Sequence, residues 1–197
     1  MTDPVQNPYI SPESIAEDAP GGSLSEFVRP GQIITFALVQ GVLVITAILF
    51  LFIKGEAAAA NPAAPNAPTA GGGDLVLPGI GIVAAVGACV IAFVLRTMLQ
   101  RTSINKYRKT ETKPQEITSQ DASLTPAMRQ LMKDSQVGTL IGQVILEGAA
   151  VMNAILMVVD DNIIHLVPIA ILVAGIVIQL PTVGKKRQLA KTATDDR

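Results

Sequence analysis

The sequence predicts an all-α, polytopic membrane protein with four transmembrane helices. Only 16% of its 197 residues are charged, whereas a soluble globular domain carries about 25%, and the mean hydropathy is +0.45. The apolar residues are gathered into long runs and do not alternate as they would in a strand or a surface helix. Four runs come close to the roughly 20 helical residues that cross a bilayer: residues 33–53, 76–95, 137–159 and 163–180. Because lipid offers backbone groups no hydrogen-bond partners, each run must be helical.

We expect the four spans to form one domain, residues 29–184, between two segments of different composition. Residues 1–28 are rich in proline, serine and acidic residues and bury too little apolar surface to fold, so they are expected to be disordered. They also lack the basic start and early apolar core of a signal peptide, so the first span is expected to stay as an uncleaved anchor. Residues 185–197 form a basic tail.

The two longer connections differ in kind. Residues 55–74 are an Ala, Pro and Gly linker that need not fold. Loop 96–136 is expected to begin as a continuation of the second helix and to end in a new helix that runs into the third span. The start signal for that helix is Thr125, which suits the N-cap position, followed by Pro126, which suits the first helical position.

The third connection is short and polar. Asp161 or Asn162 can cap the fourth helix, and Pro168 predicts a mild kink in it. His165 lies one turn into this helix, near the outer interface. Because the chain has no other histidine, we expect His165 to be an interfacial hydrogen-bonding residue and not a metal ligand.

The distribution of Lys and Arg predicts the topology. Four spans place the N-terminal segment, loop 96–136 and the tail on one face, which collects 14 of the 15 basic residues, while Lys54 alone lies on the other face. Because basic residues that flank a span stay on the cytoplasmic side, both termini are predicted to be cytoplasmic.

The basic loop is the feature that bears on partners. Its Lys and Arg can contact anionic lipid head groups, and each such contact near the membrane surface contributes about 1 kcal/mol. Alternatively, they contact a protein, or their only role is to fix the topology. A net charge of −1 gives no reason to expect nucleic acid. Cys89 is the only cysteine, and nucleotide-binding, hydrolase and metal-binding fingerprints are missing from the sequence. We therefore expect no enzyme activity, no catalytic residue, no cofactor and no metal.

Glu147 stands out because it is the only formal charge in the third span. It lies ten residues into that span, about 15 Å deep, where a charge costs roughly 2.5–3.5 kcal/mol even on a lenient insertion scale. Gln143 shares a helical stripe with it, and Asn153 lies beside the stripe. We expect Glu147 to be protonated and to hydrogen-bond Gln40, which lies at a similar depth in the first span. The alternative is an ion-binding carboxylate with Gln40, Gln143 and Asn153 as its polar neighbours.

Small residues at helical spacing predict close packing between spans. Gly138 and Gly142 form a GxxxG pair on the third span, and Gly81, Ala84 and Ala88 form a stripe on the second. Such residues let backbones approach each other in lipid, where hydrophobicity gives no drive between helices. They indicate packing and leave open whether the protein forms a homo-oligomer.

A weak internal repeat relates the first and third spans. Residues 39–52 and 146–159 are identical at five of 14 positions, and Gln40 aligns with Glu147. Both segments run from the inside to the outside, as the duplication of a helical hairpin requires. The match is either accidental or the trace of two tandem hairpins.

Two resemblances rest on these residues. LEGAAVMNAIL, residues 146–156, with QLPT at 179–182, is similar to a group of uncharacterised multi-pass proteins of planctomycete-type bacteria, which implies a bacterial inner membrane and no particular activity. LIG at 140–142 followed by Glu147, with PGIG at 78–81, resembles the carboxylate-bearing and glycine-rich helices of rotary ATPase proteolipid (c-ring) subunits. That likeness implies an ion-binding role for Glu147. The chain departs from those subunits in its long loop and in two additional helices.

The sequence therefore favours an integral membrane bundle with a structural or interaction role, which presents its basic loop to lipid or to partners. The alternative is an ion- or proton-handling membrane protein centred on Glu147. The two differ in one requirement: a conduction path needs polar side chains at several depths, and beyond Asn153 the outer half of the spans has almost none.

Overall fold

The protein folds entirely into helices over the residues that the structure describes. This computed structural model describes residues 23–59, 76–111, 123–159 and 161–195, without the side chains of residues 53–59. In chain order the elements are α1 Leu24–Ala59, α2 Val76–Thr110, α3 Pro126–Val159, a 3-10 turn Ile163–His165, α4 Leu166–Ile178 and α5 Val183–Asp195. The predicted all-α class is confirmed.

Among the described residues, three helices are long and apolar enough to cross a membrane, and the number rises to four if the bent pair of α4 and α5 counts as one broken span. Helices α1, α2 and α3 have 36, 35 and 34 residues, well above the roughly 20 that a bilayer needs. Large apolar side chains cover the outside: Phe36, Val83 and Phe93 are 64%, 72% and 71% exposed. Polar Gln143 and Asn153 are fully buried instead. This distribution suits lipid as the solvent and is that of a polytopic membrane protein.

Local capping signals set two of the helix starts. The hydroxyl of Thr125 accepts the backbone N–H of the third helical residue of α3 at 3.3 Å, so the predicted start at Pro126 is confirmed. Asn162 Oδ1 accepts the backbone N–H of Ile164 at 3.0 Å and caps the 3-10 turn. Asp161 precedes it with a φ of 46°, a left-handed conformation in which short polar residues are enriched.

Helix α3 is the central helix of the bundle. It packs against α1, α2 and α4, whereas α1 and α2 have almost no contact with each other among the described residues. Two tandem hairpins would pack α1 on α2, so that arrangement is not found. The reason is that α3 buries small or polar side chains on several faces, which lets three neighbours approach it.

The fourth predicted span is interrupted near its end. Helix α4 ends at Ile178, and α5 leaves it at an angle of 62° after a short break. Pro181 lies in this break and has no N–H with which to continue a helix. Its ring packs against α1, since a Cβ on Gly31 would lie 2.7 Å from Pro181 Cγ. Pro168 lies in the first turn of α4, where a missing N–H costs little, so the bend in this segment is at residues 179–182.

Two hydrophobic clusters among the described residues hold the bundle together. One lies along the spans and joins small side chains of α2 to α3 and α4. The other, called here the end cluster, lies where the helices extend beyond the predicted spans. Its buried members are Leu24, Ile104, Tyr107, Leu124, Met128, Leu131, Met132, Leu189, Ala190 and Ala193.

The end cluster brings the first predicted segment partly into the fold. Helix α1 begins at Leu24, and Leu24 and Val28 are 0% and 3% exposed. Residues 24–28 are therefore helical and packed, and the disorder expected of them is not found. Residues 1–22 lie outside the described part of the chain.

The basic tail also contributes to this cluster. Its described residues belong to α5, which buries Leu189, Ala190 and Ala193. These positions repeat at helical spacing, so they form one apolar face on an otherwise charged helix. We call the end of the bundle formed by the start of α1, the end of α2, the start of α3 and α5 the basic end.

Candidate functional site

Asn153 forms the junction between α3, α2 and the 3-10 turn. Its side-chain amide donates to the backbone oxygen of Gly81 at 3.3 Å and to that of Ala149 at 2.9 Å. Its Oδ1 lies 3.5 Å from Nδ1 of His165, and both side chains are almost fully buried. A Cβ on Gly81 would collide with both of them. The missing side chain at Gly81 therefore makes this contact possible.

Gln143 forms a second junction, between α3, α1 and α4. Its Nε2 donates to the hydroxyl of Thr35 at 2.9 Å and to the backbone oxygen of Ile176 at 3.4 Å. The Thr35 hydroxyl in turn donates to the backbone oxygen of Gly31 at 2.7 Å. Because a buried amide without partners would be costly, these contacts favour one arrangement of the three helices.

Apolar side chains separate the two junctions. Leu146, Ala150 and Leu172 lie between them and are 2%, 0% and 0% exposed. Gln143 and Asn153 are ten residues apart on α3, or about 15 Å along its axis. The described polar groups of the two junctions therefore do not form one continuous polar path along the spans.

Glu147 lies apart from both junctions. One of its carboxylate oxygens is 3.8 Å from the position that a Cβ on Gly41 would take, so the half-buried side chain faces α1. Gln40 is exposed, and among the described residues no hydrogen bond joins it to Glu147. Neighbouring residues point about 100° apart on a helix, and here Gly41 is the one that faces α3. The candidates Glu147, Gln40, Gln143 and Asn153 thus do not converge on one site.

The predicted packing glycines lie at helix crossings. A Cβ on Gly138 would lie 3.3 Å from Leu99 Cβ, and one on Gly142 would lie 2.7 Å from Gln179 Oε1. Gly138 thus brings α3 close to α2, and Gly142 brings it close to the break after α4.

The small-residue stripe on α2 is longer than the predicted one. Its buried small members are Gly81, Ala85, Ala88 and Ala92. Ala84, which was predicted to belong to it, is half-buried at its edge. Ala85 and Ala92 follow Gly81 by four and eleven residues, so helical periodicity was the signal that could have found them.

The basic end holds a polar cavity of about 40 Å³. It is lined by Arg96, Gln100, Ser135, Thr139, Gln179, Pro181, Lys185, Lys186 and Leu189. These side chains come from α2, α3, α5 and the break between α4 and α5. The cavity therefore exists only because the tail folds back on the bundle, and we call it the basic cavity.

Lys186 is the most buried charged residue at the basic cavity, with 4% of its surface exposed. Its Nζ donates to the backbone oxygen of Met132 at 3.1 Å and to the hydroxyl of Ser135 at 3.2 Å. Burial, and secondly the nearby charge of Arg96, lower its pKa from 10.5 to about 8. The sequence placed Lys186 in a basic tail without predicting its burial, and the missed signal is that Leu189, three residues on, begins the apolar face of α5.

Lys185 and Arg96 complete the cationic lining of the cavity. Lys185 Nζ donates to the backbone oxygens of Ile178 at 2.6 Å and Leu180 at 3.0 Å, which caps the end of α4. Burial lowers the pKa of the half-buried Arg96 guanidinium. Arg96 donates no hydrogen bond to any other described residue, and none of the three cations has a described carboxylate within 4.0 Å.

The described residues show helix junctions and a basic cavity, and no group of three His, Cys, Asp or Glu among them is placed to hold a metal ion. Together with the fold, they define an all-α integral membrane protein. No protein-family model matches the chain, and no curated protein and no solved structure is significantly similar to it.

Proposed function

We propose that this chain is a four-span protein of a bacterial inner membrane with a structural or interaction role. In this proposal the four spans form a stable bundle, both termini are cytoplasmic, and the basic end contacts anionic lipid or a protein. The proposal rests on the contacts of the buried polar residues. Gln143 and Asn153 connect helices, and an apolar layer separates them.

The charge distribution supports the orientation. The described helix ends that carry Arg96, Arg101, Lys106 and Lys185 all belong to the basic end, as the positive-inside rule requires of a cytoplasmic face. The small-residue stripes are used between helices of one chain, so they supply no separate surface for a second copy. Assembly into a homo-oligomer would have to use the exposed apolar faces of the helices, which α1, α2, α3 and α4 all carry.

A second candidate function is ion or proton handling by Glu147. The observation that favours it is that Glu147 is half-buried at mid-span and accepts no hydrogen bond from a described residue. An intramembrane carboxylate is by default a functional candidate because its charge is costly in lipid. The resemblance of its surroundings to the carboxylate-bearing helix of c-ring subunits adds to this second candidate.

Proteoliposomes containing purified protein and an internal pH-sensitive or sodium-sensitive dye separate the two candidates. Under an imposed membrane potential, we expect proton or sodium uptake to be no faster than in empty vesicles. Glu147→Gln should leave both uptake and thermal stability nearly unchanged, because it keeps the shape and bonding capacity of the side chain. A wild-type flux that Glu147→Gln abolishes and the exposed-site control Gln40→Leu retains would overturn the structural proposal.

A further inference from the structure

The basic cavity has too much positive charge for the partners that the fold supplies. Arg96, Lys185 and Lys186 line one small space, and like charges this close raise the free energy of the folded state unless an opposite charge is present. Two of the three nevertheless have fixed positions, because both lysines donate to backbone oxygens. The cluster is therefore positioned by the fold, with Lys186 buried, Arg96 half-buried and Lys185 exposed but tied to the end of α4.

The remaining lining of the cavity is polar and only partly satisfied. Gln179 is 9% exposed, and its Oε1 is buried with no hydrogen-bond partner among the described residues. Rotation of this amide would present two N–H donors at the same place. The hydroxyls of Ser135 and Thr139 lie on the facing side, on α3. The Arg96 guanidinium, which has no described partner, leaves N–H donors available to a ligand that carries acceptor oxygens, and Gln179 can add donors only in the rotated amide.

We propose that the basic cavity binds one phosphate-type oxyanion, held by Arg96 and Lys186 with Lys185 and Gln179 at its sides. A guanidinium matches two phosphate oxygens in bidentate geometry, and lysine adds a compact charge. The volume of about 40 Å³ limits the bound part to a single small group. This goes beyond the proposed structural role, since a bundle without a ligand could fulfil that role equally well.

The position of the cavity favours the head group of an anionic phospholipid as the source of the phosphate. Arg96 directly follows the predicted span 76–95, and Gln179 lies at the end of the span 163–180. The cavity is therefore at the boundary between hydrocarbon and water, where lipid phosphates lie. Free inorganic phosphate carries the same oxyanion, so the experiment has to distinguish the two sources.

The test uses delipidated full-length protein in a non-ionic detergent. Binding of inorganic phosphate is measured by titration calorimetry, and binding of phosphatidylglycerol against phosphatidylcholine is measured by native mass spectrometry. We expect phosphatidylglycerol to bind in preference to phosphatidylcholine. Phosphate binding without a lipid preference would assign the cavity to a free anion and would equally support an oxyanion site.

Arg96→Gln and Lys186→Met should each weaken binding about tenfold or more, because each removes a charge-assisted hydrogen bond to the ligand. The matched controls are Arg101→Gln on α2 and Arg187→Gln on α5, which remove the same charge at exposed positions. They should change the affinity by less than about twofold. Arg96 makes no hydrogen bond with a described residue, so Arg96→Gln should keep the wild-type thermal unfolding curve. If Lys186→Met folds poorly, Arg96→Gln alone therefore still tests whether the cavity binds an oxyanion.

Lys186 also predicts that the affinity for phosphatidylglycerol depends on pH. The charged groups that line the cavity with it are Arg96 from α2 and Lys185 from α5. Because only protonated Lys186 attracts an anion and its pKa is about 8, affinity should be constant below that pH and fall above it. The fall should be smaller in Lys186→Met.

Equal losses in the control variants, or binding of neither phosphate nor phosphatidylglycerol, would overturn the oxyanion site. These measurements in detergent depend neither on ion flux nor on membrane orientation, so they fail or succeed separately from the proposed function.

Discussion

At the scale of single residues, the bundle depends on positions where a missing side chain lets polar groups meet. Gly81 leaves room for Asn153 and His165, and Gly142 leaves room for Gln179. Both glycines lie within helices, where glycine is otherwise unfavourable by about 1 kcal/mol relative to alanine in water. The close approach of the helices and their buried hydrogen bonds offset that cost.

Gly81→Ala should therefore destabilise the protein by about 1–3 kcal/mol, the usual range for overpacking. The added methyl would collide with Asn153 and His165, and both are buried too tightly to move without losing their hydrogen bonds. Thermal unfolding followed by far-ultraviolet circular dichroism in detergent measures the effect. Gly87→Ala on the same helix is the control, since a Cβ there meets nothing within 4 Å. Equal stability of the two variants would show that the Gly81 contact does not contribute.

At the scale of elements, the distinctive feature is α5. It is a short, charged helix that would not be stable alone in water, and its docking depends on a narrow apolar face. Arg108 of α2 holds its far end by donating to the backbone oxygens of Thr192 at 2.8 Å and Ala193 at 3.3 Å. A cation at the C-terminal end of a helix is also favoured by the helix dipole. Docking of α5 closes both the end cluster and the basic cavity.

Ala190→Glu should release α5 from the bundle, because it would bury an unpaired carboxylate in the end cluster. Ala190 is 3% exposed, and burying an unpaired charge is among the substitutions that cost most. We expect hydrogen-exchange protection of the α5 amides to fall about tenfold or more. Gln188→Glu adds the same charge two residues earlier at an exposed position and should leave the protection unchanged. Full protection in Ala190→Glu would mean that α5 is held by its polar contacts alone.

At the scale of the whole molecule, the bundle is asymmetric along its axis. The long helices extend beyond the predicted spans at the basic end, where the end cluster joins four segments of the chain. All the described Lys and Arg side chains belong to that end. This asymmetry is the basis for our proposal that both termini are cytoplasmic.

Cysteine labelling in intact cells tests that orientation in a Cys89→Ala background. A membrane-impermeant thiol reagent should modify a cysteine at Asn66, in the linker between the first two spans, and should spare one at Thr110, the last residue of α2. The physical reason is the positive-inside bias. The reverse pattern would overturn the charge argument, and modification at both positions would show that the second span, which alone separates them, does not cross.

Several features could be predicted from the sequence because they depend on local chemistry. The helical class follows from apolar runs that must satisfy their own backbone groups. The start of α3 follows from Thr125 and Pro126, whose capping chemistry involves only neighbouring residues. Close packing at Gly81, Gly138 and Gly142 follows from small residues at helical spacing, which need no side-chain space. None of these inferences requires knowledge of which helices touch.

The partners of those residues could not be predicted, because they depend on how whole helices rotate and cross. Gln40 and Gly41 differ by about 100° on α1, and only packing against α3 made Gly41 the residue that faces Glu147. Packing likewise placed α3 at the centre, whereas the repeat had left an arrangement of two tandem hairpins open. The basic cavity is the clearest case: Arg96 and Lys186 are 90 positions apart in the sequence, and they meet because α5 folds back where its apolar face finds the end cluster.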